Sequence, residues 1–411
     1  MGQEPDFDTL LLHGRTSKGF AQREILPPIS QVTAYQYPSM EELAKVFAHK
    51  QMGYAYTRIG NPSVAVFEQR INELEGGAGA LACSSGMAAV SAALLAVCQS
   101  GDEIIAGRGL YGGTIDLFHD LEKYGIRTVF TELVPEKVAP LINERTRVVF
   151  GEFISNPSLA VLDVEGVASV AHQAGIPLFV DATTVTPFLA RPLSLGADVV
   201  IHSTSKYING GGNSIGGVIV DGGHFSWDFD RHASLGEFRR FGRGAFLVRL
   251  RADLWKNLGC CIAPMNAFLS CVGLDTLGLR MERICANASA LAQALSGEDG
   301  IRVNYLTLEG HPYRESALKY FRGQGGGILT FRAGSRERAF RIIDSLKYAL
   351  IASNIGDLRT LVIHPASTLY LRTSTEEMNQ AGVYDDTVRV SVGIEDSGDL
   401  IRDFLDAVRK A

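Results

Sequence analysis

The chain has 411 residues, with 39 Lys or Arg against 45 Asp or Glu, a net charge of −6. This length predicts two or three domains with a large core, and mild acidity without a basic cluster argues against nucleic acid as a partner. Met1 to Asp8 is polar and acidic, unlike a secretory leader. The weakly polar run Leu81 to Cys98 includes Ser84, Ser85, Gly86 and Ser91, so it reads as a buried helix rather than a membrane span.

In chain order, residues 1–60 read as an irregular N-terminal arm for subunit contact, with Pro27, Pro28 and Pro38 and one helix near Met40 to Lys50. From 61 to 262 short apolar runs alternate with helical patterns such as Val164 to Ala174. The runs are Ala80–Ala82, Glu103–Ala106, Thr128–Phe130, Val148–Phe150, Leu178–Val180, Val199–Ile201 and Val218–Val220. Runs without polar alternation suit strands covered on both faces, which predicts a seven-stranded, mostly parallel α/β sheet. The seventh run follows the glycine-rich loop Gly210 to Gly212 instead of a helix, so it is expected to be antiparallel. Residues 263–411 read as a smaller C-terminal α+β domain. It would have a long helix from Ala263 through Leu295, strands at Arg302–Leu306, Gly327–Phe331, Thr360–Ile363 and Val388–Val392, and helices at Arg336–Leu346 and Leu400–Lys410. The six cysteines make no C-x-x-C pair and have no histidine at zinc-finger spacing. Reduced thiols in a cytoplasmic protein without a metal site are therefore expected.

Lys206 carries the most chemical information. It follows the apolar run ending at Ile201, among the hydroxyls of Ser203, Thr204 and Ser205. An aldehyde cofactor needs one amine to form an imine, and neighbouring hydroxyls suit its phosphate. Asp181 ends the preceding strand run, where a carboxylate can keep a pyridine nitrogen protonated. This pair points to pyridoxal 5′-phosphate (PLP). Ser85, Gly86 and Met87 open a helix, whose N-terminus attracts phosphate, although Ser85 reads equally as an ordinary N-cap. Tyr111, in Leu110 to Thr114, suits stacking on a ring or simple core packing. Tyr56 and Arg58 suit phosphate binding or a plain loop. In Val388 to Glu395 the alternation puts Arg389 and Ser391 on one face, where Arg389 would grip a carboxylate or form an edge-strand salt bridge. A competing nucleotide-binding reading rests on Gly107, Gly109 and Gly112 with Glu132 beyond them, and it leaves Asp181 and Lys206 unexplained.

Several motifs occur together in one order: Tyr56-Thr57-Arg58 with Asn61-Pro62, Ser85-Gly86-Met87, Tyr111-Gly112-Gly113, Asn156-Pro157, Asp181 and Ser203-Thr204-Ser205-Lys206. In this set the chain resembles the Cys/Met-metabolism PLP enzymes. The segments Ser214 to Gly217, Pro264 to Phe268, Asn354 to Asp357 and Ile363 to Ser367 are most similar to the O-acetylhomoserine sulfhydrylases. The resemblance implies a type I PLP-dependent transferase fold and a homotetramer built from dimers. It implies catalytic roles for Lys206 and Tyr111, with Lys206 taking the cofactor aldehyde. Asp181 would lie at the pyridine nitrogen, and Ser85, Gly86, Met87, Ser203 and Ser205 at the phosphate. Tyr56 and Arg58 would reach the neighbouring subunit's cofactor, and Arg389, Asn156 and Asn354 would hold the substrate. The implied reaction is γ-replacement on an O-acylated homoserine with a sulfur donor, namely sulfide, a thiol or a sulfur-carrier protein. The alternative is γ- or β-elimination from methionine or cystathionine. Three departures stand out: Ala182 where the family has asparagine, Ser205 for threonine, and Leu369-Tyr370 for Thr-His.

Overall fold

A computed structural model describes residues 6–13, 24–48, 50–371 and 373–411. The first sheet has seven strands: β1 (Gly79–Cys83), β2 (Glu103–Gly107), β3 (Arg127–Thr131), β4 (Thr146–Glu152), β5 (Leu178–Asp181), β6 (Val199–His202) and β7 (Gly217–Asp221). Their spatial order is β1-β7-β6-β5-β4-β2-β3. Only β7 runs against its neighbours β1 and β6, as its glycine-rich approach predicts. The apolar runs lack polar alternation because successive side chains serve different cores. Ile105, Val149, Val180 and Val200 enter one cluster, whereas Ile104, Phe150, Phe179 and Ile201 enter the cluster on the other face.

The parallel strands send their C-terminal ends to a single rim. Cys83, Gly107, Glu152, Asp181 and His202 end there, and β7 starts there at Gly217, paired with Cys83. Ligands of open α/β sheets bind at this rim. The helix Gly86–Val97 starts from it and is buried under one face of the sheet, so Leu81 to Cys98 divides into a strand and a core helix. Among the described residues no helix is long and apolar enough to cross a membrane.

The second sheet comprises β8 (Arg302–Asn304), β9 (Ile328–Arg332), β10 (Leu350–Ile351), β11 (Leu361–Ile363) and β12 (Thr387–Ser391), ordered β10-β11-β12-β9-β8. β10 is a two-residue strand, too short for a periodicity to announce it. Helices Arg336–Ser345 and Ser397–Lys410 pack on this sheet through Ile342, Leu400 and Phe404. Two expected elements differ. The long helix from 263 to 295 is two helices, Pro264–Leu274 and Leu277–Leu295. At the break Gly273 lies so close to the backbone of Ile208 that a Cβ would sit 2.3 Å from its carbonyl oxygen. The Gly273 carbonyl accepts from the Arg280 guanidinium at 2.6 Å and from the Thr276 N–H at 3.3 Å, a tight turn in place of the α-helical ladder. The strand expected over Arg302–Leu306 ends at Asn304, after which Tyr305 and Leu306 turn into the core.

In the N-terminal region, expected to be irregular but for one helix, there are two among the described residues: Phe7–His13, whose Phe7 and Leu11 are buried in the core, and, within the expected Met40 to Lys50, Met40–Phe47. The second is capped by Ser39, whose hydroxyl accepts the Glu42 N–H. Residues 1–5 and 14–23 of the arm, and residue 49, lie outside the described residues. All six cysteines are free thiols, and five of them are buried.

Candidate active site

A cavity of about 720 Å³ opens at the rim, within the size range of small-molecule sites. Its lining unites Ser85, Gly86, Met87, Tyr111, Asn156, Asp181, Ser203, Ser205, Lys206, Asn354 and Arg389. These eleven residues are separated by up to about 300 positions in the chain and are assembled by the ends of β1, β2, β4, β5 and β6 together with β12. Tyr56 and Arg58 are not brought to this cavity. Tyr56 is 38% exposed, and Arg58 stacks over its ring and donates to the Lys256 carbonyl at 2.9 Å.

One wall is built for an anion. Ser85 is the N-cap of helix Gly86–Val97, its hydroxyl accepting the Ala88 N–H at 3.0 Å. The ordinary N-cap and the cavity lining are therefore the same residue. Helix N–H groups and their partial positive charge face the cavity from here. Gly86 is required by close approach, since a Cβ there would lie 2.6 Å from the Cβ of Ser203. Ser205 exchanges hydrogen bonds with Gly216, donating to its carbonyl at 3.1 Å and accepting its N–H at 3.0 Å. The loop after β6 is thereby pinned to the loop before β7.

The floor carries two carboxylates. The register of β4 and β5 sets Glu152 beside Asp181. Asp181 accepts the Thr183 N–H at 2.9 Å. Burial pushes its carboxyl upward, while the Thr183 hydrogen bonds and the nearby His202 pull it back. Burial and the Asp181 charge push Glu152 well above the usual carboxylate range. Of the pair, Glu152 is the one driven toward the protonated form. Glu152 escaped the sequence reading. The available signal was an acid closing a strand, the same signal that marks Asp181.

At the other end Lys206 Nζ donates to Asn354 Oδ1 at 2.5 Å. Burial, with the Arg389 charge adding to it, lowers the Lys206 pKa, which favours the free amine. β12 is flanked on both sides by β11 and β9, so an edge-strand salt bridge does not apply to Arg389. Arg389 Nη1 donates to Asn156 Oδ1 at 3.3 Å and Nη2 to the Asn354 carbonyl at 3.1 Å, while its buried Nε has no protein partner. Burial lowers the Arg389 pKa to about 10, which leaves it cationic at neutral pH. Ser391, on the same face, accepts the Gly356 N–H at 2.9 Å and so holds the Asn354 loop on the strand.

Tyr111 is 43% exposed, at the start of helix Gly112–Glu122. Its ring lies against Gly113, where a Cβ would approach it to 2.6 Å. Of the glycines that suggested a nucleotide loop, Gly107 ends β2, Gly109 lies against Ser155 and Ser158, and Gly112 opens the helix after Tyr111, while Glu132 forms a surface ion pair with Lys137. Of the departures, Ala182 is fully buried, Leu369 lines the cavity and the buried Tyr370 hydroxyl has no protein partner. Among the described residues no group of His, Cys, Asp and Glu is arranged to hold a metal.

A recessed lysine amine, an acid among strand ends and a helix N-terminus whose glycine admits no Cβ together define the site of a PLP-dependent enzyme of the type I fold. The comparisons agree. Residues 8–409 match the family described as Cys/Met metabolism PLP-dependent enzyme, and the chain belongs to that family. It is 40% identical to O-acetyl-L-homoserine sulfhydrylase 1 of Thermus thermophilus, over 98% of this chain and 99% of that protein. It is 39% identical to homocysteine synthase of Schizosaccharomyces pombe, over 98% of each. Among solved structures, an O-acetylhomoserine (thiol)-lyase of Campylobacter jejuni, holding N′-pyridoxyl-lysine-5′-monophosphate, superposes with a TM-score of 0.93 at 35% identity over 98% of this chain and all of that one. Cystathionine gamma synthase of Xanthomonas oryzae gives 0.87 at 30% identity over 99% of each chain.

Proposed function

We propose that this chain catalyses γ-replacement on an O-acylated homoserine, O-acetylhomoserine foremost, with a sulfur nucleophile. With sulfide the products are homocysteine and acetate. The observation that carries the reading is the double use of Asn354. Its side chain holds the Lys206 amine, and its main-chain carbonyl holds the Arg389 guanidinium. A proton acceptor and a carboxylate grip are thereby tied to a single residue. PLP, when bound, supplies an electron-accepting ring for charge developed at the substrate α-carbon.

The chain's own groups take the following parts. Ser85, Gly86, Met87, Ser203 and Ser205 would hold the phosphate of bound PLP, and Asp181 would keep its pyridine nitrogen protonated. Tyr111 presents its ring face. Arg389 takes the substrate α-carboxylate as a two-bond fork, with Asn156 steadying the guanidinium. Lys206, once released as a free amine, removes the α-proton and returns it after the sulfur has added. The acyloxy group leaves from the γ-carbon, and the nucleophile takes its place.

The reading extends to a cytoplasmic homotetramer, a dimer of dimers, in which residues 1–60 form a contact arm, 61–262 the cofactor domain and 263–411 the C-terminal domain. Ile25 and Met52 in the arm expose nearly all of their surface, which favours a subunit contact there. Tyr56 and Arg58, away from their own cavity, would then reach the phosphate in the neighbouring subunit. The free thiols suit a reducing compartment.

The test is a product assay with O-acetyl- and O-succinylhomoserine, with and without sulfide. Homocysteine is expected only when sulfide is present. Keto acid and ammonia formed equally without sulfide would replace this reading by elimination. For the shared site, mixing Tyr56→Phe and Lys206→Ala proteins should restore partial activity, and no recovery after verified subunit exchange would count against sharing.

A further inference from the structure

Glu152 lines the same cavity, and its hydrogen bonds run to two loops rather than to a ligand-sized gap. The Tyr111 N–H donates to Oε1 at 2.6 Å, and the Asn156 N–H donates to Oε2 at 3.2 Å. The first loop follows β2 and carries the aromatic ring. The second follows β4 and carries the asparagine that meets Arg389. β2 and β4 are paired neighbours, so the end of β4 is the one strand terminus from which a single side chain spans both turns. Tyr111 gains no side-chain cap at its own helix start, and half its ring is open to the cavity and solvent. The main-chain tie to Glu152 is therefore what orients that turn.

We propose that Glu152 is a positioning residue of the site: its carboxyl group ties the Tyr111 turn to the Asn156 turn and sets the distance between the aromatic face and the Arg389 grip. The chemistry requires two acceptor oxygens at the reach of glutamate. Glutamine offers one acceptor and sets an NH₂ donor against an N–H donor. Aspartate keeps both oxygens and an acid beside Asp181 but falls short by one methylene. A purely electrostatic role beside Asp181 is rescued by aspartate, whereas a positional one is not.

The inference rests on the roles given above to Tyr111 and Asn156, and the experiment separates the two. Holoenzymes carrying Glu152→Gln, Glu152→Asp and Tyr111→Leu are compared by visible circular dichroism of bound PLP, thermal midpoint, and kcat and KM for the ester. Both Glu152 variants should change the visible band and lose roughly tenfold or more in kcat/KM, the scale of one buried hydrogen-bonding group left unpartnered. Glu152→Asp at wild-type values, or Glu152→Gln indistinguishable from wild type, overturns the proposal. If Tyr111→Leu also leaves the band and rates unchanged, the role of Tyr111 itself is wrong. If it is impaired while the Glu152 variants are not, only the role of Glu152 fails. Hydrogen exchange on the unsubstituted holoenzyme decides the matter should the variants not fold. The Tyr111 and Asn156 amides must both be protected, and free exchange at either overturns the tie.

Discussion

Arg389 holds its guanidinium between Asn156 and the Asn354 carbonyl, buried and with one N–H unpartnered by protein. A planar fork fits a carboxylate in a way an ammonium cannot. Arg389→Lys is therefore expected to lower kcat/KM for the amino-acid substrate by roughly ten- to a hundredfold, the worth of one charge-assisted bond. Steady-state kinetics with the holoenzyme checks this, and an unchanged kcat/KM would place the carboxylate elsewhere. Tyr370 poses the opposite case. Its hydroxyl is buried without a protein partner, in the neighbourhood of Glu152, Arg389 and Tyr111. Removing an unsatisfied buried hydroxyl from a packed ring is neutral or stabilising, by up to about 1 kcal/mol. Tyr370→Phe should hold or raise the denaturant midpoint, whereas a clear loss would mean that the hydroxyl is satisfied when the site is filled.

At the scale of elements, the two segments proposed to hold the phosphate meet because Gly86 has no side chain. The loop after β6 comes within van der Waals contact of the helix start, and a methyl group there would displace Ser203. Gly86→Ala should weaken PLP binding, with overpacking of roughly 1–3 kcal/mol read as faster cofactor loss on dialysis. Retention equal to wild type would remove Gly86 from the cradle. These contacts also explain what the sequence could and could not disclose. The strand runs were legible because β2 and β4 to β7 are almost wholly buried on both faces, and the antiparallel β7 because Gly210 to Gly212 leave no room for a crossover helix. Lys206, Asp181 and Arg389 were legible as lone polar groups at the ends or on one face of apolar strands. The break between Leu274 and Leu277 was not, because an uninterrupted apolar pattern conceals a stop imposed by tertiary contact with Ile208 and Arg280. Glu152 was hidden for another reason. Its partners are main-chain N–H groups, which leave no trace in residue identity. That Tyr56 and Arg58 stay outside this cavity was not legible in their local pattern, which suits phosphate binding and a plain loop alike; the family resemblance alone implied it.

At the scale of the whole molecule, the end of the sheet opposite the cavity carries its own titrating group. Asp198, which opens β6, pairs with His172 at 2.8 Å and His224 at 3.1 Å, and Asp221 at the end of β7 lies alongside. Burial raises Asp221 to about 6, partly offset by the Gly223 N–H and reinforced by the charge of Asp198. The hydrogen bond to Asp198 raises His224 above its usual value against opposing desolvation. Both folded-state values lie above the unfolded ones, so both groups favour the folded chain when protonated. The Asp221 contribution is complete below its unfolded value near 4 and is lost as pH rises through about 6. That of His224 is complete below about 6.5 and is lost as pH rises through its raised value. The half-exposed His224 is screened by solvent and adds little. Asp221 dominates, with a ceiling of about 3 kcal/mol for a shift of roughly two pH units. Asp221→Asn keeps the acceptor for Gly223 N–H and has no charge to desolvate. The variant should therefore gain stability over wild type at pH 8 and much less at pH 5, measured as thermal midpoints of the holoenzyme at both values. The cavity lies at the far rim, so kcat should not follow this difference. An equal gain at both pH values would mean that Asp221 is not the titrating group.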